Sequence, residues 1–471
     1  MKHIRILLLS LASSFATFAA DINLSSGQLE GLLDDENIKK ESTLKLKGTI
    51  DARDLAALEK LSSDVKTLDL SEVKITPLTM PNRKYFGRTM FNQGEIPAYT
   101  FFKTGVTTLI LPEDVSLICE GAFAGSAITE IIIPEGVTSL GDYAFYGCPN
   151  LKSVALPSSL VSIGKGAFGN CIALENINLS ETKIKEIPER AFAGAVNLTS
   201  LTLPASGVEK VGREAFSHTK IGSLDLSNVS EFEAYALSSM PYLEELAINP
   251  NALIGEGVLM DNISLASLTG MPDFIPDYFA ANCSELPSET AASAASLGKY
   301  SFANTNSPET LVLSESLNKI DRGALSGLTN LTKIDVTALG AQVPEVDEFT
   351  FEGLSQPDIV LWVDDNSFDV WENHPIWHLF QVKSTNKTGI SDAVDAENQI
   401  SITFVSGVVI VESGSVINDI RIYTTDGRMA FVASPGKERV EIDAATLPTG
   451  VIIVAASDEA GNSKNISILL K

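Results

Sequence analysis

One unit recurs through most of the 471 residues. ICEGAFAGSAITEIIIPEGV from Ile118, LGDYAFYGCPNLKSVALPSSL from Leu140, IGKGAFGNCIALENINLS from Ile163 and IPERAFAGAVNLTSLTLPASGV from Ile187 are copies of it. Taking the second position of the Ala-Phe pair as an anchor gives Phe101, Phe123, Phe145, Phe168, Phe192, Phe216, Leu237, Leu259, Phe279, Phe302, Leu325 and Phe351, spaced by 20 to 26 residues. Five residues earlier stand Ile96, Ile118, Leu140, Ile163, Ile187, Val211, Phe232, Ile254, Phe274, Leu297, Ile320 and Val346, all apolar. A unit this short cannot bury such positions alone, whereas stacked copies share a continuous core.

After each anchor comes a short alternating run, such as Leu109-Ile110-Leu111, Leu201-Thr202-Leu203, Leu224-Asp225-Leu226 or Ile334-Asp335-Val336, often closed by a proline such as Pro112, Pro134, Pro157 or Pro204. Period-2 alternation predicts one short strand per repeat, its outer residues buried and its middle one exposed. Equivalent strands then lie side by side at about 4.8 Å in one long parallel sheet. The prediction is a right-handed solenoid, with Phe123, Phe145, Phe168, Phe192 and Phe216 stacked inside.

These units resemble the bacterial leucine-rich repeats of the BspA family, which combine I-x-x-x-A-F with a following L-x-x-L-x-L-P. The resemblance runs from about Leu44 to Val382 and is strongest from Phe101 to Phe216; between Phe232 and Leu297 the Ala-Phe pair is lost. It implies a leucine-rich repeat fold and adhesion to host or bacterial surface proteins. An amphipathic helix in DARDLAALEKL (Asp51 to Leu61) and the strand Thr67-Leu68-Asp69-Leu70 open the array, and a Trp-rich stretch closes it. The expected organisation is a signal peptide over 1–20, a cap over 21–66, the solenoid and its C-terminal cap over 67–383, a polar linker over 384–399 and an all-β module over 400–471.

That module changes period to alternating strands in ISITFVSGVVIVES, DIRIYTTDGRMAFVAS, RVEIDAATLPTGVIIVAAS and NSKNISILLK, which reads as a small sandwich of about seven strands. It is similar to the C-terminal sorting domains of type IX secretion in Bacteroidetes in Ile422-Tyr423, Asp426-Gly427-Arg428, Leu447-Pro448-Thr449-Gly450 and the run from Lys464 to Lys471. It lacks the Tyr-Pro-Asn-Pro opening, and Ile452 stands where that family has Tyr. Lys2 and Arg5, the apolar stretch Ile6 to Phe18 and the small residues Ala19 and Ala20 read as a secretion signal, so the expected location is secreted or at the cell surface, associated with the outer membrane. No later stretch has the roughly 18 apolar residues of a membrane span.

With 34 Lys and Arg against 60 Asp and Glu, the net charge of −26 opposes nucleic-acid backbones and anionic membranes. Gly164-Lys165-Gly166-Ala167-Phe168-Gly169 matches a dinucleotide-binding pattern, but its frame is the repeat frame, shared by Gly141-Asp142-Tyr143-Ala144-Phe145-Tyr146. Leu447-Pro448-Thr449-Gly450 lacks one residue of a sortase signal and reads as a turn. His374 and His378 stand at a zinc-like spacing with Pro375 between them and Trp371, Trp377 and Phe380 around them, which reads as a packed cap. Asp364-Asp365-Asn366 lacks EF-hand spacing. Cys148 and Cys171, each three residues after an anchor, are neighbours in adjacent turns, where a disulfide is geometrically conceivable and a ladder of buried thiols is the favoured reading. No acid, base and nucleophile form a constellation, so no catalytic residue, cofactor or metal ligand is assigned.

The function is expected on the long sheet, where the exposed middle residues form one column: Asp69, Ile110, Ile132, Ala155, Asn178, Thr202, Asp225, Ala247, Val312, Asp335 and Trp362. The ten from Ile110 onward are the candidate ligand-binding residues. Their mix of small, apolar and acidic side chains suits a protein or glycan ligand on a host or bacterial surface. The alternative is a glycan-capturing or structural cell-envelope protein.

Overall fold

The computed structural model describes residues 19–385 except 36, 37, 39 and 83, and 400–470 except 406, 425–427, 461 and 462. Residues 1–18 of the expected signal and most of the expected linker lie outside the described residues. The chain forms two compact units that divide between Lys387 and Thr388.

The first unit is a stack of turns whose ladder strands are parallel; Leu78–Thr79 and Met90–Phe91 form a short antiparallel pair beside them. Its main face begins with Ala19–Leu24, Thr43–Ile50 and Thr67–Ile75, continues through three- and four-residue strands such as Thr108–Ile110, Glu130–Ile132 and Ser153–Ala155, and ends at Gln381–Lys383. Ala19 and Ala20, expected at the cleavage site, pair with Thr43 and Leu44. The expected single long sheet is instead a row of hydrogen-bonded segments, with the pairing interrupted after Ala155, after Thr202 and after Thr269. In the turn after Phe279 the strand position is taken by a 3-10 helix, Ser288–Ser293.

Each turn also contributes to a second, narrower parallel ladder: Glu95–Ile96 pairs with Leu117–Ile118, Glu186–Ile187 with Lys210–Val211 and then Glu231–Phe232, and Ser296–Leu297 with Lys319–Ile320. Two residues are too few for a visible alternation, so the sequence signals only the main-face strand.

Between the two ladders, the anchors form the core. Phe101, Phe123, Phe145, Phe168, Phe192 and Phe216 are fully buried, with consecutive centroids 4.8 to 5.7 Å apart and ring planes within 14°. Backbone bonds run turn to turn through the same place: Phe101 N–H donates to Ala122 O, Phe123 to Ala144, Phe145 to Ala167 and Phe168 to Ala191, at 2.7 to 2.8 Å. The residues two before and two after an anchor take left-handed backbone, for example Tyr143 (φ 55°) and Gly147 (φ 66°), or Gly166 (φ 57°) and Asn170 (φ 55°). That pair of left-handed residues turns the chain sharply around each ring.

The same frame corrects the weakest part of the repeat. Leu259 N–H donates to Phe279 O and Ala280 N–H to Ser301 O, while Tyr278 and Asn282 carry the left-handed backbone. Ala280, not Phe279, is therefore the backbone equivalent of the anchor. The pair reads Phe-Ala instead of Ala-Phe, both residues are buried, and the Phe279 ring meets Phe302 at 6.1 Å and 58° instead of stacking. The apolar residue before it shifts too: Ile275 pairs with Leu297 inside, and Phe274, expected to point inward, is 71% exposed.

Both ends of the array are closed. Helix Ala52–Ala57 starts at a capping box in which Asp51 accepts from Arg53 N–H and Asp54 from Asp51 N–H. The buried Asp54 carboxylate also accepts from Gly27 N–H at 2.6 Å and Leu29 N–H at 2.9 Å, tying this helix to the start of the short helix Leu29–Leu32 before it. At the far end Trp371 and Trp377 are buried edge to face, and Phe351 meets Trp377 and Phe380.

The second unit is all-β. Its six strands, Ser401–Val405, Val408–Thr424, Met429–Ala433, Lys437–Asp443, Gly450–Asp458 and Ser463–Leu470, form one antiparallel sheet. Val408–Thr424 pairs with Ser401–Val405 and Lys437–Asp443 along its first part, and with Met429–Ala433 and Gly450–Asp458 along its last. Register shifts between Glu412 and Ile417 mark the change of partners. The two runs read from sequence as separate strands are thus one, which accounts for six strands where about seven are expected. Ile402, Val409, Val411, Ile420, Ile422, Ile452 and Val454 form its core. Leu447 is buried there, and Pro448-Thr449 bridge a 3-10 turn and the strand from Gly450.

Candidate interaction surface

The strand pattern fixes which side chains leave the solenoid. In Thr108–Ile110, Leu109 is buried and Thr108 and Ile110 face outward; the next turns repeat this with Ile131 and Val154 inside. All ten candidate residues fall on this outer face. Ile110 is 37% and Ile132 40% exposed, Asn178, Thr202, Asp225 and Val312 are exposed, and Ala155, Ala247, Asp335 and Trp362 are half-buried.

Pairing sorts them into groups. Asp69 lies beside Ile110, Ile132 beside Ala155, Asn178 beside Thr202, Asp225 beside Ala247, and Val312 beside Asp335 and then Trp362. Thr108 pairs with Glu130, which brings Ile110 and Ile132 onto neighbouring strands at one level. The 3-10 helix Ser288–Ser293 separates the last group from the others.

Thr269, in register with Ala247, and Lys383, in register with Trp362, extend the column. A second outward column lies two residues earlier on each strand: Thr108, Glu130, Ser153, Asn176, Ser200 and Ser223 are among its members. Strict alternation would reveal it, since a residue two before an outward residue also points out. The middle of the face is consequently a field of small hydroxyls and amides.

Charge concentrates at its ends. Lys45 reaches Glu72 at 2.6 Å and Asp69 at 3.6 Å, and Lys47 reaches Asp21 at 2.8 Å. Near the other end Lys333 pairs with Asp335 at 3.0 Å and lies 4.9 Å from the centre of the Trp362 ring. Burial pushes the Asp335 carboxyl up, but the Thr337 hydroxyl and amide and the Lys333 ammonium outweigh it and hold the group below the usual aspartate range. Asp225 is also lowered, by the hydroxyl and the amide of Ser227. Beside Asp225 a shallow hollow of about 180 Å³ is lined by Leu203, Pro204, Val208 and Val229.

The motifs with catalytic or ligand-binding look-alikes have structural duties. A Cβ on Gly164 would lie 2.3 Å from Asp142 N, and one on Gly166 would lie 2.7 Å from the Tyr143 ring, so these glycines let turns approach each other. His374 Nδ1 accepts from the amides of Ile376 and Trp377, and His378 Nδ1 bonds to His374 O. Cys148 and Cys171 are buried free thiols that donate to Phe123 O and Phe145 O, each at 3.0 Å. Asn262 and Cys283 do the same for Leu237 and Leu259, so a small donor at this position caps a core carbonyl. Among the described residues no helix is long and apolar enough to cross a membrane.

Fold and surface together define a leucine-rich repeat solenoid with one long outward sheet face. The BspA type leucine rich repeat region model matches residues 94–206, 181–287 and 273–361, more than half of the chain, and the protein belongs to that family. A leucine-rich repeat protein from Bacteroides ovatus has a similar crystal structure, with a TM-score of 0.53 at 18% identity over 78% of this chain and 92% of that one. The pneumococcal vaccine antigen PcpA (TM-score 0.36, 17% identity, 75% and 80% coverage) and a leucine rich cell surface protein from Faecalibacterium prausnitzii (0.33, 16%, 78% and 83%) are more distant. No curated protein sequence matches the chain. Leucine-rich repeat arrays are generally protein-interaction modules.

Proposed function

We propose that this is a non-enzymatic secreted or cell-surface binding protein that adheres to a protein partner through the main sheet face. The observation that carries the reading is the exposed Ile110–Ile132 strip, continued by Ala155, beside a middle stretch of the face made of small polar groups. Contact sites combine such an apolar patch with a polar surround. The residues Asn178, Thr202, Asp225, Ala247, Val312, Asp335 and Trp362 supply the surround and the far end of the footprint.

The test is binding to individually immobilised host matrix proteins and bacterial surface proteins. Ile110→Glu with Ile132→Glu is expected to leave the melting curve unchanged and to abolish capture. Capture that survives both substitutions in a folded protein refutes the sheet-face reading. The C-terminal module is proposed to direct export, on the residues it shares with type IX sorting domains; removing residues 400–471 should then retain the protein inside the producing cell, and unchanged surface delivery would disprove it.

A further inference from the structure

Away from the sheet, the turn side carries an aromatic ledge. The positions two before and one after an anchor line it, exposed where they carry an aromatic ring and buried where they carry Gly or Ala. They are Tyr99 and Phe102 in one turn, Gly121 and Ala124 in the next, Tyr143 and Tyr146 in the third, Gly166 and Gly169 in the fourth. Tyr99, Phe102, Tyr143 and Tyr146 are 49, 48, 41 and 41% exposed. Each pair meets edge to face, at 5.9 Å and 86° for Tyr99 with Phe102 and 5.7 Å and 90° for Tyr143 with Tyr146. The intervening glycines are required: a Cβ at Gly121 would lie 2.3 Å from the Tyr99 ring. The Tyr99 and Tyr143 rings are thus packed closely on the following turn, each with its partner ring standing edge-on beside it.

We infer that this ledge binds an extended, neutral β-1,4-linked glycan lying along the solenoid axis, at a site separate from the sheet face and independent of the reading given for it. Three observations select that ligand. First, the two platforms repeat every second turn, and the core rings Phe101, Phe123 and Phe145 advance by 5.2 and 4.8 Å per turn, so the platforms stand about 10 Å apart. A β-1,4-linked chain flips each sugar relative to the last and presents the same face every second unit, with closely this repeat. Second, a pyranose ring offers an apolar C–H face edged by hydroxyls, which fits an aromatic surface with polar groups at its rim. That rim exists: Tyr99 hydroxyl donates to Glu120 at 2.6 Å, and Asn170 Nδ2 donates to the Tyr146 hydroxyl at 2.6 Å.

Third, the charges around the ledge are already engaged. Lys165 pairs with Glu189 at 3.1 Å, its amide donates to Asp142, and Lys103 lies over the Phe102 ring. Lys103 is a cation on the ledge itself, but an anionic glycan would approach against the field of a protein of net charge −26, so the complementary ligand is uncharged.

The experiment is titration of the full-length protein with cellohexaose, mannohexaose, chitohexaose and, as an anionic control of the same linkage, β-1,4-mannuronate oligomers. Binding of at least one neutral β-1,4 hexamer and not of the control is expected. Phe102→Ala with Tyr146→Ala, which touch only surface positions, should weaken it about tenfold or more. Phe102→Tyr should keep it within about threefold, because the platform remains. Ile110→Glu with Ile132→Glu should leave it unchanged, which separates this site from the sheet face. Absence of binding to all three neutral hexamers, preference for the anionic control, or full binding by the folded double alanine variant would each overturn the proposal.

Discussion

At the level of single residues, the anchors carry the stability and one carboxyl carries an unusual proton. Phe168 has stacked rings on both sides, 5.4 Å from Phe145 and 5.7 Å from Phe192, and no solvent exposure. Phe168→Ala is expected to cost about 3–5 kcal/mol in chemical denaturation, the range for a buried aromatic whose cavity cannot close. Glu372 at the C-terminal cap is pushed up to about 7 by burial. The folded protein then keeps its proton in a range where the unfolded chain, near 4.5, has lost it. Folding is therefore opposed progressively as pH rises from about 4.5 to about 7, and the loss persists above. Glu372→Gln should raise the melting temperature at pH 8 and leave it unchanged at pH 4; an equal effect at both values would show that the carboxyl is solvated.

Within one turn, the decisive feature is the pair of left-handed residues flanking the anchor. Non-glycine residues such as Arg190 (φ 55°) and Glu214 (φ 52°) occupy that backbone, so what Gly166 must provide is space for the Tyr143 ring. Gly166→Ala is expected to destabilise by about 1–2 kcal/mol, the scale of a left-handed alanine with an added contact to relieve. In combination with Tyr143→Ala the two losses should add to less than their sum, because the ring that clashes is gone. Simple additivity in a double-mutant cycle would place the strain in the backbone alone.

The same turns show what the sequence could and could not tell. Burial of all twelve anchors, the outward direction of Ile110 through Trp362 and the closure by Trp371 and Trp377 follow from period and composition. The slip at Phe279-Ala280 does not, because swapping two adjacent apolar residues leaves the hydrophobic pattern intact while moving the backbone frame by one. Phe274 was misplaced for the same reason. The aromatic ledge was missed because Tyr99 and Tyr143 alternate with glycine across turns, a relation that exists only once the turns are stacked.

For the whole molecule, the stacked turns and the all-β unit are separate cores, one built from anchor rings and one from Ile402, Val409, Ile420 and Val454. We expect them to unfold independently, with limited proteolysis between Lys383 and Gln399 releasing a folded C-terminal fragment; a single protected species would contradict two domains. The array itself has an asymmetry of support. In the turn containing the 3-10 helix Ser288–Ser293 the main-face ladder stops at Thr269 and resumes at Thr310, yet the narrow ladder runs unbroken from Ile275 through Leu297 to Ile320. A rod stitched on one side and open on the other flexes like a hinge with a single leaf: it yields toward or away from the interrupted side and resists bending across it. Pulled from its ends, the array should give first at the breaks in its main-face ladder, here and at those after Ala155 and Thr202, parting into stiff pieces before any piece unravels.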